Sequence, residues 1–310
     1  MHRPTPRIWS ATFVVTLLAV TTLVSCGGAD SSVAMSGTPT VQDADQAPVR
    51  PVDAPTRIVS MSPSITEMLF AIGAGDQIVA VDSYSYFPEG APVTDLSGLE
   101  PNIEAILGYD PDLVLISYDP GDVIAGLETA GVAALALPAA AIVADTYAQI
   151  EKLGEVTGNG VVAAQVVAEM RAEMDLLATR AEAAGAHGLS YYHELDDTLF
   201  SATSSTFIGE IYAMAGLVNV ADAADSDGSA YGYPQLSAEF LVDAGPDLIF
   251  LADVECCAQT ADVVSARPGW ETIPAVVNGN IIELPADVHS RWGPRIVDFL
   301  QVVVTAVSAD

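Results

Sequence analysis

Residues 104–115 read EAILGYDPDLVL, and residues 239–250 read EFLVDAGPDLIF. At a constant offset of 135 positions, Glu104 aligns with Glu239, and a Pro-Asp-Leu sequence follows at the same distance in both halves. In each half a short helical pattern leads into a continuous apolar run, which is typical of a strand buried in a parallel sheet. The repeat therefore predicts two similar α/β units in one chain.

Short apolar runs and helical patterns alternate on both sides of this repeat. The strand candidates are 57–61, 78–82, 112–117 and 133–138 in the first half, and 189–195, 199–203, 247–252 and 281–284 in the second. The helix candidates outside the central region are 64–72, 102–108, 121–130, 205–216, 237–244 and 294–307. Such alternation predicts parallel sheets that are covered by helices on both faces.

A long helical region, 144–185, separates the two halves. Gly158-Asn159-Gly160 divides it, and the second part keeps helical spacing of apolar residues over about 24 positions, or about 36 Å. We therefore expect an α/β protein with two Rossmann-like lobes, 56–143 and 186–310, whose sheets are mainly parallel. A single long rigid helix joins these lobes, and a ligand cleft lies between them.

The first 55 residues have the composition of an export signal and a tether. Two arginines precede an apolar run from Ile8 to Val24, which is short for a membrane span. The run ends Leu-Val-Ser-Cys at Cys26, which resembles a bacterial lipobox. We interpret residues 1–25 as a lipoprotein signal peptide, Cys26 as the lipidated residue and 26–55 as a flexible tether. An ordinary signal peptide and a retained anchor are the alternatives. This interpretation predicts an extracytoplasmic protein that a lipid anchors to the cell membrane.

Cysteine usage agrees with export. Besides Cys26, the chain contains only Cys256 and Cys257, which are neighbours in sequence. In an oxidising compartment such a pair is a candidate for a vicinal disulfide. A zinc site is less favoured, because it needs more ligands nearby than the sequence offers.

The charge balance excludes one class of partner. Acidic residues number 41 against 10 lysines and arginines, which gives a net charge of −31. A surface of this sign repels nucleic acid and anionic lipid head groups. Most of the acidic residues therefore serve solubility.

Four motifs resemble those of a known protein family. They are RIVSMSPSITE at 57–67, NIE at 102–104, PDLV at 111–114 and RWGPR at 291–295. In their order and spacing they resemble the substrate-binding proteins of ABC importers for vitamin B12, ferric siderophores and haem. These proteins form the helical-backbone class, and the resemblance covers 57–308.

The resemblance implies a binding protein and not an enzyme. It implies a metal chelate as ligand, with cobalamin and ferric siderophores ahead of haem, and no cofactor other than the cobalt or iron that the ligand contains. The partners it implies are a dimeric permease and its ATPase. It also implies that Glu104 and Glu239 dock onto arginines of the membrane subunits. The repeat independently places one such glutamate on each lobe, as a two-fold transporter requires.

Ligands of parallel α/β lobes bind outside the carboxyl ends of the strands. The candidate ligand-binding residues at these ends are Ser62, Pro63, Ser64, Tyr84, Tyr86, Tyr118, His193, Tyr231, Tyr233, Arg291 and Trp292. Aromatic side chains suit a flat macrocycle, and arginine suits negatively charged groups. His193 either reaches an iron or cobalt centre or is a hydrogen-bonded residue of its strand.

Three other functions are alternatives to a chelate-binding protein of an ABC importer. A zinc- or manganese-binding importer lipoprotein of the same architecture needs about three histidines, and only His187, His193 and His289 follow the signal peptide. An enzyme on this fold is disfavoured because the sequence contains no nucleophile elbow, phosphate loop or dinucleotide fingerprint. A tethered surface protein without an importer is the third alternative.

Overall fold

The computed structural model describes residues 54–285 and 287–308. The predicted signal peptide, the lipidation at Cys26 and nearly all of the predicted tether lie outside these residues. Within the described ranges, no helix combines the length and apolar character that crossing a membrane requires.

The first lobe is built on a parallel sheet of four strands. These strands are β1 (Ile58–Met61), β2 (Ile78–Val81), β3 (Leu113–Ile116) and β4 (Ala133–Ala136), in the order β2-β1-β3-β4. The connecting helices are α1 (Pro63–Ala71), α2 (Ile103–Leu107) and α3 (Val123–Thr129). β1 and β3 are buried along their whole length, as continuous apolar strands in the middle of a sheet should be.

Two helices that pack against each other follow the first sheet. They are α4 (Val143–Thr157) and α5 (Gly160–Ala183). α4 ends at Gly158, whose φ of 78° is the left-handed conformation that glycine adopts without strain. A β-carbon on Gly154 would lie 2.3 Å from the β-carbon of Ala163, so the two helices meet where glycine permits it. α5 is 24 residues long and is the long helix between the sheets.

The second lobe repeats the strand order of the first. β5 (Ser190–Glu194), β6 (Val218–Asn219), β7 (Leu248–Leu251) and β8 (Ile281–Glu283) form a parallel sheet in the order β6-β5-β7-β8. The helices of this half are α6 (Phe207–Met214), α7 (Ala238–Ala244), α8 (Val254–Cys257), α9 (Ala261–Ser265), α10 (Pro274–Asn278) and α11 (Ile296–Ser308). The two matching parallel sheets confirm the predicted α/β class.

The aspartate of the repeated Pro-Asp-Leu sequence has the same role in both lobes. The Asp112 carboxylate accepts hydrogen bonds from the Thr56 and Arg57 backbone N–H groups at 2.8 and 3.0 Å. The Asp247 carboxylate accepts from the Ser190 backbone N–H at 2.8 Å and from its hydroxyl at 2.7 Å. Each aspartate thus ties the start of one central strand to the start of its neighbour.

The strand predicted at 199–203 does not form. Its backbone bonds to a loop instead: the Ser201 N–H donates to the Pro234 carbonyl at 3.0 Å and the Thr203 N–H to the Gly232 carbonyl at 2.8 Å. The strand that pairs with β5 at this edge of the sheet is β6. Within this range only Phe200 forms a bridge, an isolated antiparallel pairing with Gln235.

Candidate functional site

A cavity of about 290 Å³ lies at the carboxyl ends of β1, β2 and β3. The residues that line it follow these three strands or belong to the segment between β8 and α11. They are Met61, Ser62, Pro63, Ser64, Asp82, Tyr84, Gly98, Leu99, Ser117, Tyr118, Arg291 and Trp292. The structure therefore brings together seven of the eleven candidate ligand-binding residues, five from the first lobe and two from the segment between β8 and α11.

The floor of this cavity is polar and tightly packed. The Ser85 hydroxyl donates to Asp82 Oδ1 at 2.6 Å, and burial raises the pKa of the Asp82 carboxyl. A β-carbon on Gly98 would lie 2.4 Å from the Met61 carbonyl oxygen and 2.8 Å from Asp82 Oδ2. Glycine is therefore required at this position.

Aromatic side chains are exposed to solvent at the mouth of the cavity. Tyr84 is 57% exposed and Tyr118 is 59% exposed, although both side chains are large and partly apolar. Tyr86, which is not part of the lining, donates its hydroxyl to Asp287 Oδ2. Exposed aromatic surface of this kind, next to a cavity, is typical of a ligand-binding face.

The segment 287–295 packs against the first lobe although it follows the last strand of the second. The Trp292 backbone N–H donates to Ser64 Oγ at 3.2 Å, and Arg295 Nε donates to Glu67 Oε2 at 2.9 Å. Arg295 also lies 4.2 Å over the ring of Phe87. These contacts bring Arg291 and Trp292 to the cavity at the first lobe, which local sequence patterns do not reveal.

Arg291 combines a paired charge with a free N–H group. Its Nη2 atom lies 2.9 Å from Asp287 Oδ1 in an ion pair that is mostly buried. The Arg291 Nε and Trp292 Nε1 atoms and the Ser62 hydroxyl are buried without hydrogen-bond partners in the described part of the chain. All three residues line the cavity, but these three polar atoms are covered by neighbouring residues.

His193 lies beneath the surface of the second lobe and has no exposed area. Its Nδ1 atom shares a hydrogen bond of 2.8 Å with the Tyr212 hydroxyl, and its ring centre lies 5.8 Å from that of His289. Burial lowers the pKa of His193 and lowers that of His289 to about 4, so both rings are neutral at physiological pH. His187 precedes β5, whereas His193 is near its carboxyl end.

The other two candidate tyrosines belong to a loop of the second lobe. Tyr231 is 89% exposed, and Tyr233 is 45% exposed. Asp225 fixes this loop by accepting hydrogen bonds from the Ala230 and Gly232 backbone N–H groups at 2.8 and 2.7 Å. Neither tyrosine lines the first-lobe cavity.

A buried cluster of charges lies at the carboxyl ends of β5 and β7. Arg267 forms two hydrogen bonds of 2.6 Å with the Glu194 carboxylate and lies 4.6 Å over the ring of Trp270. Asp253 is fully buried, and neither of its carboxylate oxygens has a partner among residues 54–285 and 287–308. Burial, reinforced by the Glu194 charge, raises the pKa of Asp253 to about 7. None of these three charged residues is among the candidates that the sequence indicated.

Cys256 and Cys257 are joined by a disulfide, with their Cα atoms 3.8 Å apart. Both cysteines belong to α8, which begins directly after Asp253. Among the described residues, no group of three or more histidine, cysteine, aspartate or glutamate side chains is arranged to hold a metal ion.

Glu104 and Glu239 occupy matching places in the two lobes. Each is the exposed second residue of a short helix, α2 or α7. The Asn102 side chain caps α2 by accepting from the Ala105 N–H at 3.1 Å, and the Ser237 hydroxyl caps α7 by accepting from the Phe240 N–H at 3.1 Å. The repeat in the sequence is therefore a repeat in three dimensions.

Comparison with known proteins gives consistent matches. Residues 58–288 match the family model described as periplasmic binding protein. The chain is 29% identical to an uncharacterized ABC transporter substrate-binding lipoprotein of Bacillus subtilis, over 98% of this chain and 97% of that protein. It is 30% identical to a cobalamin-binding protein of Halobacterium salinarum, over 93% of this chain and 81% of that protein.

Solved structures show the same fold. The periplasmic vitamin B12 binding protein of Vibrio cholerae superposes with a TM-score of 0.64 at 25% identity, over 82% of this chain and 96% of that one. A periplasmic haem-binding protein of Roseiflexus superposes with a TM-score of 0.69 at 24% identity, over 81% of this chain and 97% of that one. The fold is thus common to proteins whose ligands differ.

Proposed function

The chain belongs to the periplasmic binding protein family and is a substrate-binding protein of an ABC importer, and from this premise we propose that its ligand is a corrinoid of the cobalamin class. Its role is to bind and deliver a ligand, without catalysis. Ferric siderophores and haem are the competing ligands. The cobalamin-binding relative supports the corrinoid, and the charges and donors of the cleft support it independently.

The charge state of the cleft is the observation that carries this proposal. Haem and catecholate siderophores are anionic, and binding them away from water requires cations that are free to pair. The three arginines at or near the cleft are already paired, Arg291 with Asp287, Arg295 with Glu67 and Arg267 with Glu194. A cobalamin carries no net charge and therefore needs no free cation.

The donors and aromatic rings of the cavity suit the same ligand. A corrin ring is broad and apolar on its faces, and its rim carries amide side chains. The exposed rings of Tyr84 and Tyr118 offer stacking surface for the faces. The N–H groups of Arg291 and Trp292 are buried and unpartnered, and a side-chain shift on binding that uncovers them lets them donate to amide carbonyl oxygens at the rim. Tyr231 and Tyr233 contact the ligand from the second lobe.

Delivery requires contact with the transporter and retention at the membrane. Glu104 and Glu239 dock onto arginines of the two permease subunits, because each is exposed at the same place on its lobe and carboxylates pair well with arginine. Lipidation of Cys26, which lies outside the described residues, holds the protein at the outer face of the membrane. The relative from Bacillus subtilis is itself a lipoprotein by name.

A titration panel tests the ligand. Purified protein is titrated with cyanocobalamin, haemin, a ferric hydroxamate and a ferric catecholate, and saturable one-to-one binding is expected for cyanocobalamin alone. Asp287→Asn is the informative variant, because it leaves Arg291 unpaired and asparagine tolerates the left-handed φ of 64° at this position. This variant should gain affinity for haemin. Tighter binding of haemin or of a ferric siderophore by the unaltered protein would overturn the proposal.

A further inference from the structure

The disulfide lies in a short and loosely packed turn at the carboxyl end of β7. Cys256 is exposed and Cys257 is partly exposed, and none of the four residues of α8 is buried. Ala258, the next residue, has a φ of 54°, in the left-handed region that L side chains rarely adopt. The sulfur atoms are therefore open to a thiol from solution, and the turn they close contains a strained backbone.

Hydrogen bonds connect this turn with the buried cluster of the second lobe. The carbonyl of Cys257 accepts from Gln259 Nε2 at 3.2 Å, and Gln259 Oε1 accepts from Arg267 Nη2 at 2.9 Å. Arg267 in turn holds both oxygens of Glu194 at 2.6 Å. Gln259 thus depends on the conformation of the turn and helps to position Arg267.

The end of this chain of contacts is next to the cleft. Glu194 directly follows His193, whose ring lies 5.8 Å from that of His289. His289 belongs to the segment that carries Arg291 and Trp292 into the cavity lining. The Glu194 and His193 side chains lie on opposite faces of β5, so the backbone of this strand connects the turn with the ligand-binding residues.

We propose that Cys256–Cys257 is a thiol–disulfide exchange site, that its co-reactant is an extracytoplasmic dithiol, and that its redox state sets the ligand affinity of the cleft. The attacking thiolate forms a mixed disulfide with one cysteine and releases the other as a thiolate. The second thiol of the reductant then displaces the first cysteine. The protein gains two electrons and two protons, and the dithiol becomes a disulfide.

Reduction removes the covalent link that closes the turn around a single peptide bond. Ala258 is then free to leave its left-handed conformation, and the hydrogen bond between Cys257 and Gln259 loses its fixed geometry. Arg267 loses one of its three hydrogen bonds in consequence, and the second-lobe side of the cleft becomes less ordered. We expect the reduced protein to bind its ligand more weakly.

Two measurements on the full chain test this proposal. The first is alkylation after mild treatment with dithiothreitol, followed by peptide mass spectrometry, which should show labelling of both Cys256 and Cys257 without denaturant. The second is titration with cyanocobalamin before and after reduction, which should show a rise in Kd of about fivefold or more. A disulfide that dithiothreitol leaves intact, or Kd values equal within about twofold in the two states, would overturn the proposal.

A double variant provides the matched control. Cys256→Ser/Cys257→Ser should bind as the reduced protein does and should not respond to dithiothreitol. The affinity measurement rests on the proposed function, whereas the alkylation does not. Failure of the oxidised protein to bind cyanocobalamin would therefore count against the ligand, and the labelling result would still decide whether the exchange site exists.

Discussion

Replacing Asp253 with asparagine should make the protein more stable at pH 8. The carboxyl is fully buried and has no hydrogen-bond partner among the described residues, and its pKa is raised to about 7. In the unfolded chain the pKa returns to about 3.8. Above pH 7 the folded protein must therefore bury an unpaired negative charge beside Glu194, and asparagine removes that charge while keeping the shape of the side chain.

The magnitude follows from the pKa. At about 1.4 kcal/mol per tenfold change in equilibrium constant, a pKa of about 7 against 3.8 sets a ceiling of about 4 kcal/mol. Local relaxation and the high effective dielectric of real proteins reduce this, so we expect a gain of about 1–3 kcal/mol in the free energy of unfolding at pH 8.

The stabilisation by Asp253→Asn should depend on pH. Because the folded-state pKa is the higher one, the folded protein keeps its proton while the unfolded chain releases it between pH 4 and pH 7. Stability from this group is therefore fully present below about pH 4 and is lost as the pH rises through 7. The advantage of Asp253→Asn should shrink to about a third of its full size at pH 5 and disappear near pH 4.

Urea unfolding of the ligand-free protein at pH 5 and pH 8 measures this difference. Asp247→Asn is the matched control, because the Asp247 carboxylate accepts two hydrogen bonds from Ser190 and its loss should destabilise the protein. If Asp253→Asn is no more stable than the unaltered protein at pH 8, or if its advantage is the same at both pH values, the Asp253 carboxyl does not carry a raised pKa in the folded protein.

Three further predictions concern the cleft, the transporter and the first sheet. Tyr84→Ala/Tyr118→Ala should weaken cyanocobalamin binding by about tenfold or more in a fluorescence titration, because two stacking surfaces are lost. Glu104→Ala/Glu239→Ala should abolish uptake of radiolabelled cobalamin by cells while the Kd of the purified protein stays unchanged. Asp112→Asn should lower the unfolding free energy at pH 7, and this effect should shrink as the pH falls below 3.8, since hydrogen bonds from Thr56 and Arg57 lower the pKa of this carboxyl and its contribution is lost as it takes up a proton.

Control variants show whether a loss of uptake is specific to the glutamates that were replaced. Glu128→Ala/Glu271→Ala removes one exposed glutamate from each lobe at unrelated places, and it should leave uptake intact. If this variant also stops uptake, or if the variant at Glu104 and Glu239 loses ligand affinity in step with uptake, the docking role is wrong. Equal unfolding free energies of Asp112→Asn and the unaltered protein at pH 7 would contradict the role of Asp112.

Local patterns in the sequence predicted the sheets and most of the cavity lining. A continuous apolar strand such as 113–116 can be recognised from its own consecutive residues. The constant offset of 135 positions between the two halves revealed the repeat. The same logic placed Tyr84 and Tyr118 at strand ends, where the structure has them lining the cavity. Residues 199–203 were predicted wrongly because their backbone bonds to the loop that contains Gly232 and Pro234 and not to a strand of the sheet, a contact that periodicity does not reveal.

Interactions between distant residues were beyond prediction. The pairing of Arg267 with Glu194 joins residues 73 positions apart, and the packing of Trp292 on Ser64 spans 228. The local composition of residues 287–295 does not indicate that this segment packs against the first lobe. The one available signal was the scarcity of cations, since each of 10 lysines and arginines among 41 acids was a candidate for a specific role.

The salt dependence of cyanocobalamin binding tests most directly whether the cleft binds a neutral corrinoid. A neutral ligand in a cleft whose arginines are already paired should bind one-to-one, with a Kd that changes less than about threefold between 50 and 500 mM sodium chloride. Absence of saturable binding, or a Kd that rises tenfold or more over this range, would contradict the account.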